Sequence, residues 1–248
     1  MMKIWQSIIF NKKNLSSLSP QKNYKKWLSL TKNRIKKNYK EIKNNNFSEY
    51  AISSPLLLIA LLQFKNKRIR VLDIGSGDLK SYFSFFKYKK FFKQVIFHSI
   101  ELSKIVQMYQ KFKFLNKHNK ISFIASENIK KFKYDIVHMS DSLHYISDWK
   151  AYLKKIIMMS PKYIIINGTR AGKIKTFASF QNYYKAKVPT WFFSENEILS
   201  LFNKKYVLLY NEEFINKILG NFTKLPMENF PKKSRIENSK TFIFMIRD

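Results

Sequence analysis

The sequence predicts an α/β fold: a doubly wound, seven-stranded, mostly parallel sheet with an antiparallel edge hairpin, preceded by a helical N-terminal prefix. Strand-like apolar runs alternate with helical stretches over most of the chain. Several runs, such as residues 163–166, are continuously apolar, as expected of strands that are covered on both faces. The last two runs are joined by a long connection that contains Gly and Pro rather than a clear helix, which favours an antiparallel pair at the sheet edge.

The chain is predicted to comprise a basic helical prefix, residues 1–50, and a single α/β domain, residues 51–248. The prefix carries 12 basic and 2 acidic side chains, with apolar residues at irregular helical spacing. Its lysine-rich part, residues 32–43, could be flexible. The domain then opens with a helix that begins at Pro55 after an N-cap at Ser54, because proline is tolerated at the first helical position.

Seven strand-like runs follow this helix. They lie near residues 69–74, 95–101, 121–125, 134–139, 162–167, 206–214 and 241–247. A hydrophobic share of 45% in a chain of 248 residues is ample for the core of such a domain.

The absence of cysteine excludes several kinds of chemistry. Without a thiol the chain has no disulfide framework, no cysteine zinc site, no iron–sulfur cluster of the radical kind and no thiolate nucleophile. Enzymes that methylate carbon 5 of pyrimidines through a cysteine adduct are excluded for the same reason. The 4 histidines show no metal-ligand spacing, so we expect no metal site.

The sequence indicates a cytoplasmic protein. No stretch approaches the roughly 18 consecutive apolar residues that a transmembrane segment needs. Residues 1–14 are partly apolar but lack the long central run and the small residues of a secretory signal.

The formal net charge of +31 is compatible with nucleic-acid binding, because basic side chains that neutralise phosphates release counterions. However, the chain has 41 lysines against 6 arginines, and the lysines are scattered. A coding bias toward AT-rich codons would produce the same excess. A polyanion-binding face, an anionic small acceptor and a plainly solvated surface therefore remain open alternatives.

The most informative motif ends the first predicted strand. An acid, Asp73, is followed by Gly75, Ser76 and Gly77, and these two glycines are among only 5 in the chain. Glycine adopts positive φ and lets a ligand lie close to the main chain, as a turn beneath a nucleotide-like cofactor requires. A nicotinamide site of the dinucleotide-binding kind would place a third glycine at position 80, where the chain has Lys80.

A second acid closes the next strand. Glu101 ends the apolar run 95–101, where doubly wound nucleotide-binding proteins place a carboxylate that accepts both ribose hydroxyls. The chain has 16 acids against 47 basic residues, so acids that end two successive strands are unlikely to be there by chance.

The Asp73 to Gly77 motif resembles the first motif of class I S-adenosylmethionine-dependent methyltransferases, which have a Rossmann-like fold. The resemblance implies that this turn cradles the amino-acid end of S-adenosylmethionine, and that the acid steadies the loop and nearby water. One departure is that the usual closing glycine is replaced by Asp78-Leu79-Lys80. The resemblance also implies that Ser126 and Glu127, after the third strand, contact adenine.

The region around the fourth strand, residues 134–146, is similar to the corresponding region of the same family. The carboxyl ends of central strands form the ligand crevice of an open α/β sheet, so Ser140, Asp141, His144 and Tyr145 are expected to face ligand. His144 is the candidate general base, since imidazole has a suitable pKa near neutrality. His138 lies inside the strand and is interpreted as a satisfied core histidine.

A third segment, residues 183–195, resembles a little-characterised group of bacterial methyltransferase-like proteins associated with surface-polysaccharide gene neighbourhoods. That resemblance implies a glycan-type acceptor. Tyr184 and Trp191 could form an aromatic platform for it, and Arg170 could hold an anionic group of the acceptor. Ser194 and Glu197 form a predicted capping box that opens the next helix.

The hypothesis drawn from the sequence is an S-adenosylmethionine-dependent methyltransferase that acts on an oxygen or nitrogen of a small-molecule or glycan-type acceptor. One alternative is an RNA methyltransferase, suggested by charge and aromatic content, although no Asn-Pro-Pro-Tyr-like signature is present. The other alternative is a non-catalytic binding protein that has retained the methyltransferase fold.

Overall fold

The computed structural model describes ten stretches of the chain. They are residues 4–6, 8, 24–44, 55–64, 68–86, 94–116, 121–125, 133–183, 186–218 and 221–248. The predicted domain boundary at residue 50 and the predicted N-cap at Ser54 lie outside these residues. None of the helices in these stretches has the length and apolar character needed to cross a membrane.

Helices and strands alternate along the described chain, as the sequence predicts. The helices are α1 (Tyr24–Lys43), α2 (Pro55–Leu62), α3 (Lys80–Phe86), α4 (Ser103–Gln110), α5 (Lys113–Asn116), α6 (Trp149–Met158) and α7 (Glu195–Phe202). The strands are β1 (Ile69–Ile74), β2 (Val95–Glu101), β3 (Ile121–Ala125), β4 (Ile136–Ser140), β5 (Tyr163–Thr169), β6 (Ala171–Gly172), β7 (Phe177–Tyr183), β8 (Ala186–Ser194), β9 (Tyr206–Phe214), β10 (Asn216–Ile218), β11 (Asn221–Thr223) and β12 (Ser239–Ile246).

The predicted seven-stranded sheet is confirmed. Its order is β3-β2-β1-β4-β5-β12-β9, and all seven predicted runs form its strands. β1 pairs in parallel with β2 and with β4, and β12 pairs antiparallel with β9, which is the predicted antiparallel edge. Because the strand order reverses between β1 and β4, the carboxyl end of β1 lies at the position where open α/β sheets bind ligands.

The chain divides into two compact units. The glycine-loop unit comprises Lys26–Met139 and Met159–Ile165 and contains the loop of residues 75–79 that follows β1, here called the glycine loop. The hairpin unit comprises Met1–Lys25, Ser140–Met158 and Ile166–Asp248, and it contains the antiparallel pair of β7 and β8.

In the glycine-loop unit, α1 is anchored by one buried face. Thr31, Ile35 and Asn38 are buried, and their spacing of four and three residues places them on one side of the helix. The ring of Tyr39 stacks on Phe114 with centroids 3.8 Å apart. The expectation that residues 32–43 could be flexible is therefore wrong: the lysines occupy the exposed face of a helix whose other face is packed.

The hairpin unit contains a sheet that the sequence analysis did not predict. β8 pairs with β7 in antiparallel register and with the short strand β6 in parallel, and the backbone of Trp5 bridges to Gln181 of β7. A buried aromatic cluster packs against this sheet, with the rings of Phe177 and Phe192 stacked 4.9 Å apart. The polar residues interspersed along β7 and β8 obscure their strand pattern in the sequence.

The predicted capping box at the start of α7 is only partly correct. The helix does begin directly after Ser194, but the Ser194 side chain makes no capping hydrogen bond. Its backbone N–H instead donates to the Thr176 hydroxyl at 2.8 Å. The Glu197 carboxylate forms an ion pair with Lys150, with 2.6 Å between oxygen and nitrogen, so it does not complete the box.

Candidate cofactor and acceptor sites

The glycine loop turns on residues in the left-handed region of backbone space. Gly75 has φ 74° and Gly77 has φ 53°. A Cβ atom added to Gly77 would contact only the carbonyl oxygen of Gly75, at 3.9 Å, so the space beside the loop is open. The backbone conformation, rather than crowding, is therefore what requires glycine at position 77, and a ligand can approach the main chain there.

A small hydrogen-bond network holds the loop on the ends of β1 and β2. The Ser76 hydroxyl donates to the carbonyl oxygen of Asp73 at 3.0 Å and accepts a hydrogen bond from the Ser99 hydroxyl at 2.7 Å. The backbone N–H of Gly75 donates to the carbonyl oxygen of Ile100 at 2.9 Å. Ser76 therefore shapes the loop through its neighbours on the two strands.

Asp73 points away from the loop and toward the neighbouring strand. Its carboxylate lies 2.8 Å from Nδ1 of His138, which is its register partner on β4, and both side chains are buried. The interpretation of His138 as a satisfied core histidine is thereby confirmed. The pair ties the end of β1 to β4, a contact that separate strand motifs could not reveal.

Glu101 joins the end of β2 to the glycine loop. One carboxylate oxygen accepts the backbone N–H of Gly77 at 2.7 Å, and the other accepts the N–H of Leu102 at 3.1 Å. Each oxygen keeps a second lone pair, so the carboxylate can still accept hydrogen bonds from a vicinal diol.

The environment of Glu101 also changes its acidity. Burial raises the pKa of the Glu101 carboxyl to about 7, because the charged form loses hydration. The backbone N–H donors of Gly77 and Leu102 oppose the rise, and the nearby charge of Asp73 adds to it. Glu101 therefore titrates near neutral pH in the ligand-free protein.

The loop closes with a leucine in a conformation that usually requires glycine. Leu79 has φ 59°, which for a residue with a Cβ costs about 1–2 kcal/mol. Its side chain is fully buried, and burying a leucine contributes a comparable amount or more. The sequence departs from the family pattern at Asp78-Leu79-Lys80, yet burial of Leu79 keeps the turn.

In the hairpin unit, Ser140 and Asp141 lie where β4 ends. The Asp141 N–H donates to the carbonyl oxygen of Asn167 at 2.9 Å, and Asp141 has positive φ of 50°. The Asn167 amide is 3.4 Å from the Ser140 hydroxyl. A Cβ on Gly168 would collide with the Asp141 carboxylate, so this carboxylate can occupy its position only because residue 168 is glycine.

His144 is buried in the 3₁₀ turn Leu143–Tyr145 with a relative exposure of 1%. Neither ring nitrogen has a hydrogen-bond partner among the described residues. Burial, together with the positive charge of Arg170, holds the pKa of His144 well below its ordinary value. The imidazole is therefore neutral at physiological pH, with an unshared nitrogen lone pair and an unused N–H.

Arg170 bonds to one other predicted acceptor residue, Tyr145, and to two residues that were not predicted. Its guanidinium donates to the hydroxyls of Thr190 and Tyr145 and to the side-chain oxygen of Gln181. The Tyr145 hydroxyl in turn donates to the same Gln181 oxygen at 2.7 Å. Thr190 and Gln181 were not predicted, because they come from the hairpin that the sequence did not reveal.

Trp191 makes none of the hydrogen bonds described for Arg170, and the other three predicted site residues lie outside the described part of the chain. Trp191 is half-buried on β8, where its register partner is Ala178. Ser126, Glu127 and Tyr184 lie outside the described residues. Within the described part of the chain, no group of three or more His, Asp or Glu side chains is placed to hold a metal ion.

A comparison with known protein families finds a match to one part of the chain. Residues 45–167, which are 123 of the 248 residues, match the family model described as a methyltransferase domain. This segment is similar to the methyltransferase domain family. The match spans the glycine loop, Glu101 and the end of β4.

Solved structures share the fold over most of the chain. A protein of Pyrococcus horikoshii is 12% identical, with 84% of this chain and 94% of that chain covered and a TM-score of 0.51. A putative methyltransferase from Haloferax volcanii, solved with the Trm112 activator, is 11% identical, with 93% and 98% covered and a TM-score of 0.54. A putative S-adenosylmethionine-dependent methyltransferase from Listeria monocytogenes is 14% identical, with 76% and 96% covered and a TM-score of 0.51. No curated protein sequence matches significantly.

The fold is therefore that of the class I methyltransferases, as the sequence predicts. The sequence resemblance predicts S-adenosylmethionine as the cofactor, and the family model that matches residues 45–167 is a methyltransferase domain. Two features of the glycine-loop unit fit S-adenosylmethionine. Open space lies beside Gly77, and the buried Glu101 carboxylate at the end of β2 has lone pairs for two ribose hydroxyls.

The conformation of Leu79 leads to a prediction about stability. Leu79→Ala and Leu79→Gly remove the same buried side chain, but only glycine relieves the positive φ. We expect Leu79→Ala to lower the free energy of unfolding by about 1 kcal/mol more than Leu79→Gly does. Urea denaturation of the two variants measures this difference.

Leu115 provides the matched control, because it is equally buried but lies in helix α5. There the order reverses, and Leu115→Gly is the more destabilising change by about 0.5–1 kcal/mol. An alanine variant at position 79 as stable as the glycine variant would contradict the assigned strain.

Proposed function

We propose that the protein is an S-adenosylmethionine-dependent methyltransferase that methylates an oxygen or a nitrogen of a small-molecule or glycan-type acceptor. The observation that carries the proposal is the buried Glu101 carboxylate, which bonds the Gly77 N–H beside open space at the carboxyl end of β1. The match of residues 45–167 to a methyltransferase domain supports it.

The cofactor residues of the proposal divide by what they do. Glu101 accepts the ribose hydroxyls, and the backbone of Gly75 and Gly77 receives the amino-acid end of the molecule. Asp73 and Ser76 act through the loop, because their side chains bond to β4, β1 and β2. We further propose Ser140 and Asp141 as cofactor contacts at the end of β4. We assign the adenine contacts to Ser126 and Glu127.

When bound, S-adenosylmethionine supplies an electrophilic methyl group on a sulfonium. The chain has to position the acceptor and remove its proton. His144 is proposed as the base: the acceptor O–H or N–H proton passes to an unshared ring nitrogen. Two buried nitrogens without described partners are unfavourable unless a ligand satisfies them, which supports an acceptor hydroxyl or amine at this position.

The proposed acceptor class rests on aromatic and cationic residues that the sequence predicts to contact the acceptor. Trp191 and Tyr184 are proposed as a platform for a sugar ring, and Tyr145 and Arg170 as polar contacts. The resemblance of residues 183–195 to proteins of surface-polysaccharide gene neighbourhoods supports a glycan precursor.

Cofactor affinity is predicted to depend on the charge of Glu101. The ribose hydroxyls donate to the carboxylate, so protonation of Glu101 weakens binding. With a pKa of about 7 in the free protein, affinity for S-adenosylmethionine falls about tenfold between pH 8 and pH 6. Calorimetry between pH 6 and pH 8 measures the affinity of the wild type and of Glu101→Gln for S-adenosylmethionine. The effect of Glu101 is the difference between the pH dependences of the two proteins.

The Glu101→Gln variant binds at least tenfold more weakly at pH 8 and lacks this part of the pH dependence. The difference between the proteins also cancels the titration of the cofactor's own amino group. Absence of binding to the wild type would reject the proposed activity. Wild-type affinity in the variant would reject the ribose assignment alone.

His144→Phe is predicted to separate activity from stability. In the wild type the rings of His144 and Tyr145 make an edge contact with centroids 4.2 Å apart. Phenylalanine keeps this contact and removes two unsatisfied nitrogens. We expect the free energy of unfolding to rise by about 1–3 kcal/mol and methyl transfer to fall at least 100-fold. Cofactor affinity stays unchanged.

A labelled methyl-transfer assay on fractionated host extract, with thermal unfolding in parallel, tests this expectation. Transfer that survives in His144→Phe would leave the protein as a methyltransferase that works by orienting its acceptor. Cofactor binding without transfer to any fraction would instead support the non-catalytic alternative.

A second candidate function, methylation of RNA, is favoured by one surface of the glycine-loop unit. A groove of about 720 Å³ between α1 and α4 is lined by four lysines and by no acid. These residues are Lys32, Lys36, Lys104 and Lys111. Two helices that present cations along one groove suit a phosphate backbone.

Electrophoretic shift of cellular RNA at several salt concentrations tests this candidate. If the groove binds RNA, replacing Lys32 and Lys36 with glutamine reduces the slope of log affinity against log salt by about 1–2. The matched control replaces two exposed lysines of the hairpin unit, Lys232 and Lys233. Equal effects of the two pairs would indicate binding by overall charge and would reject the groove.

A further inference from the structure

The hairpin unit contains a buried positive charge, and no carboxylate in the described part of the chain neutralises it. Arg170 has a relative exposure of 7%, and no carboxylate among the described residues lies within ion-pair distance. Its hydrogen-bond acceptors are the hydroxyls of Thr190 and Tyr145 and the amide oxygen of Gln181, which are all neutral. A guanidinium in this environment has lost most of its hydration without gaining a counter-ion.

The surrounding side chains fix the orientation of this guanidinium. Its central carbon lies 4.3 Å from the centroid of the Trp5 ring and 5.4 Å from that of Tyr145. The bonds to Tyr145 and Gln181, of 3.2 Å and 3.1 Å, hold one terminal nitrogen in place. The group is therefore rigid before any ligand arrives, so little conformational entropy is lost on binding.

Part of its donor capacity remains unused. A guanidinium has five N–H bonds, and three of them are engaged by Thr190, Tyr145 and Gln181. The other two have no partner among the described residues. Tyr145, whose hydroxyl accepts from Arg170, is 43% exposed, so the cluster reaches the surface along this ring.

We propose that Arg170 binds a carboxylate group of the methyl acceptor, which makes the acceptor a sugar acid or a similar monoanion. The single positive charge of Arg170 is balanced by one carboxylate, which accepts from one of the free N–H bonds, whereas a phosphate dianion would leave one negative charge without a partner. This inference rests on the proposed function, because it names the acceptor of the same enzyme.

Substitution of Gln181 by glutamate supplies the missing carboxylate from within the chain. In the wild type the side-chain oxygen of Gln181 lies 3.1 Å from a terminal nitrogen of Arg170. Gln181→Glu is nearly isosteric and would place a carboxylate oxygen at about the same distance. We expect the variant to melt at a higher temperature than the wild type and to bind added carboxylates at least tenfold more weakly.

The probe is D-glucuronate, with D-glucose as the uncharged analogue, titrated against the full chain by ligand-observed NMR at constant ionic strength. The wild type is expected to bind glucuronate at least tenfold more tightly than glucose. Arg170→Lys keeps the charge and removes the planar fork, and it too weakens glucuronate binding at least tenfold. Arg247→Lys, at an exposed arginine near the end of β12, is the matched control and leaves binding unchanged.

Equal affinity for the two sugars, no binding of either, or tighter binding of inorganic phosphate than of glucuronate would overturn the proposal. Full glucuronate affinity in Gln181→Glu would overturn it as well. Failure here is distinguishable from failure of the proposed function, because S-adenosylmethionine binding is measured separately and does not involve Arg170.

Discussion

The hydrogen bond between the Glu101 carboxylate and the Gly77 N–H is the contact on which the conformation of the glycine loop depends. It joins the end of β2 to the loop that follows β1, across 24 residues of sequence. The same carboxylate accepts the first N–H of the segment that leads into α4, so one side chain fixes a loop, a strand end and a helix start. Burial strengthens these bonds and at the same time raises the pKa of the group that makes them.

The sequence predicts the central sheet well for a physical reason. Strands β1, β2, β4 and β5 are almost entirely buried, so their residues form apolar runs that can be recognised without knowledge of their neighbours. The turn at Gly75 and Gly77 is equally predictable, because two closely spaced glycines after a strand are a local signal of positive φ.

What the sequence could not predict depends on contacts between distant segments. The pair of Asp73 and His138 forms only because β1 and β4 are neighbours in register, and neither residue carries a local signal of the other. The partners of Arg170 come from β7 and β8, whose polar residues mask the strand pattern. The predicted cap at Ser194 was incomplete because Lys150, from another helix, takes the Glu197 carboxylate.

The conformation of Leu79 has a consequence for how the cofactor loop responds to change elsewhere. A glycine would hold its left-handed turn by itself, whereas this leucine holds it only while its side chain stays buried. Loosening of that packing would let the backbone relax and would move the Gly77 amide, which is two residues away. In this protein the shape of the glycine loop thus depends on packing in the interior, so substitutions in the core can alter the loop without lying in it.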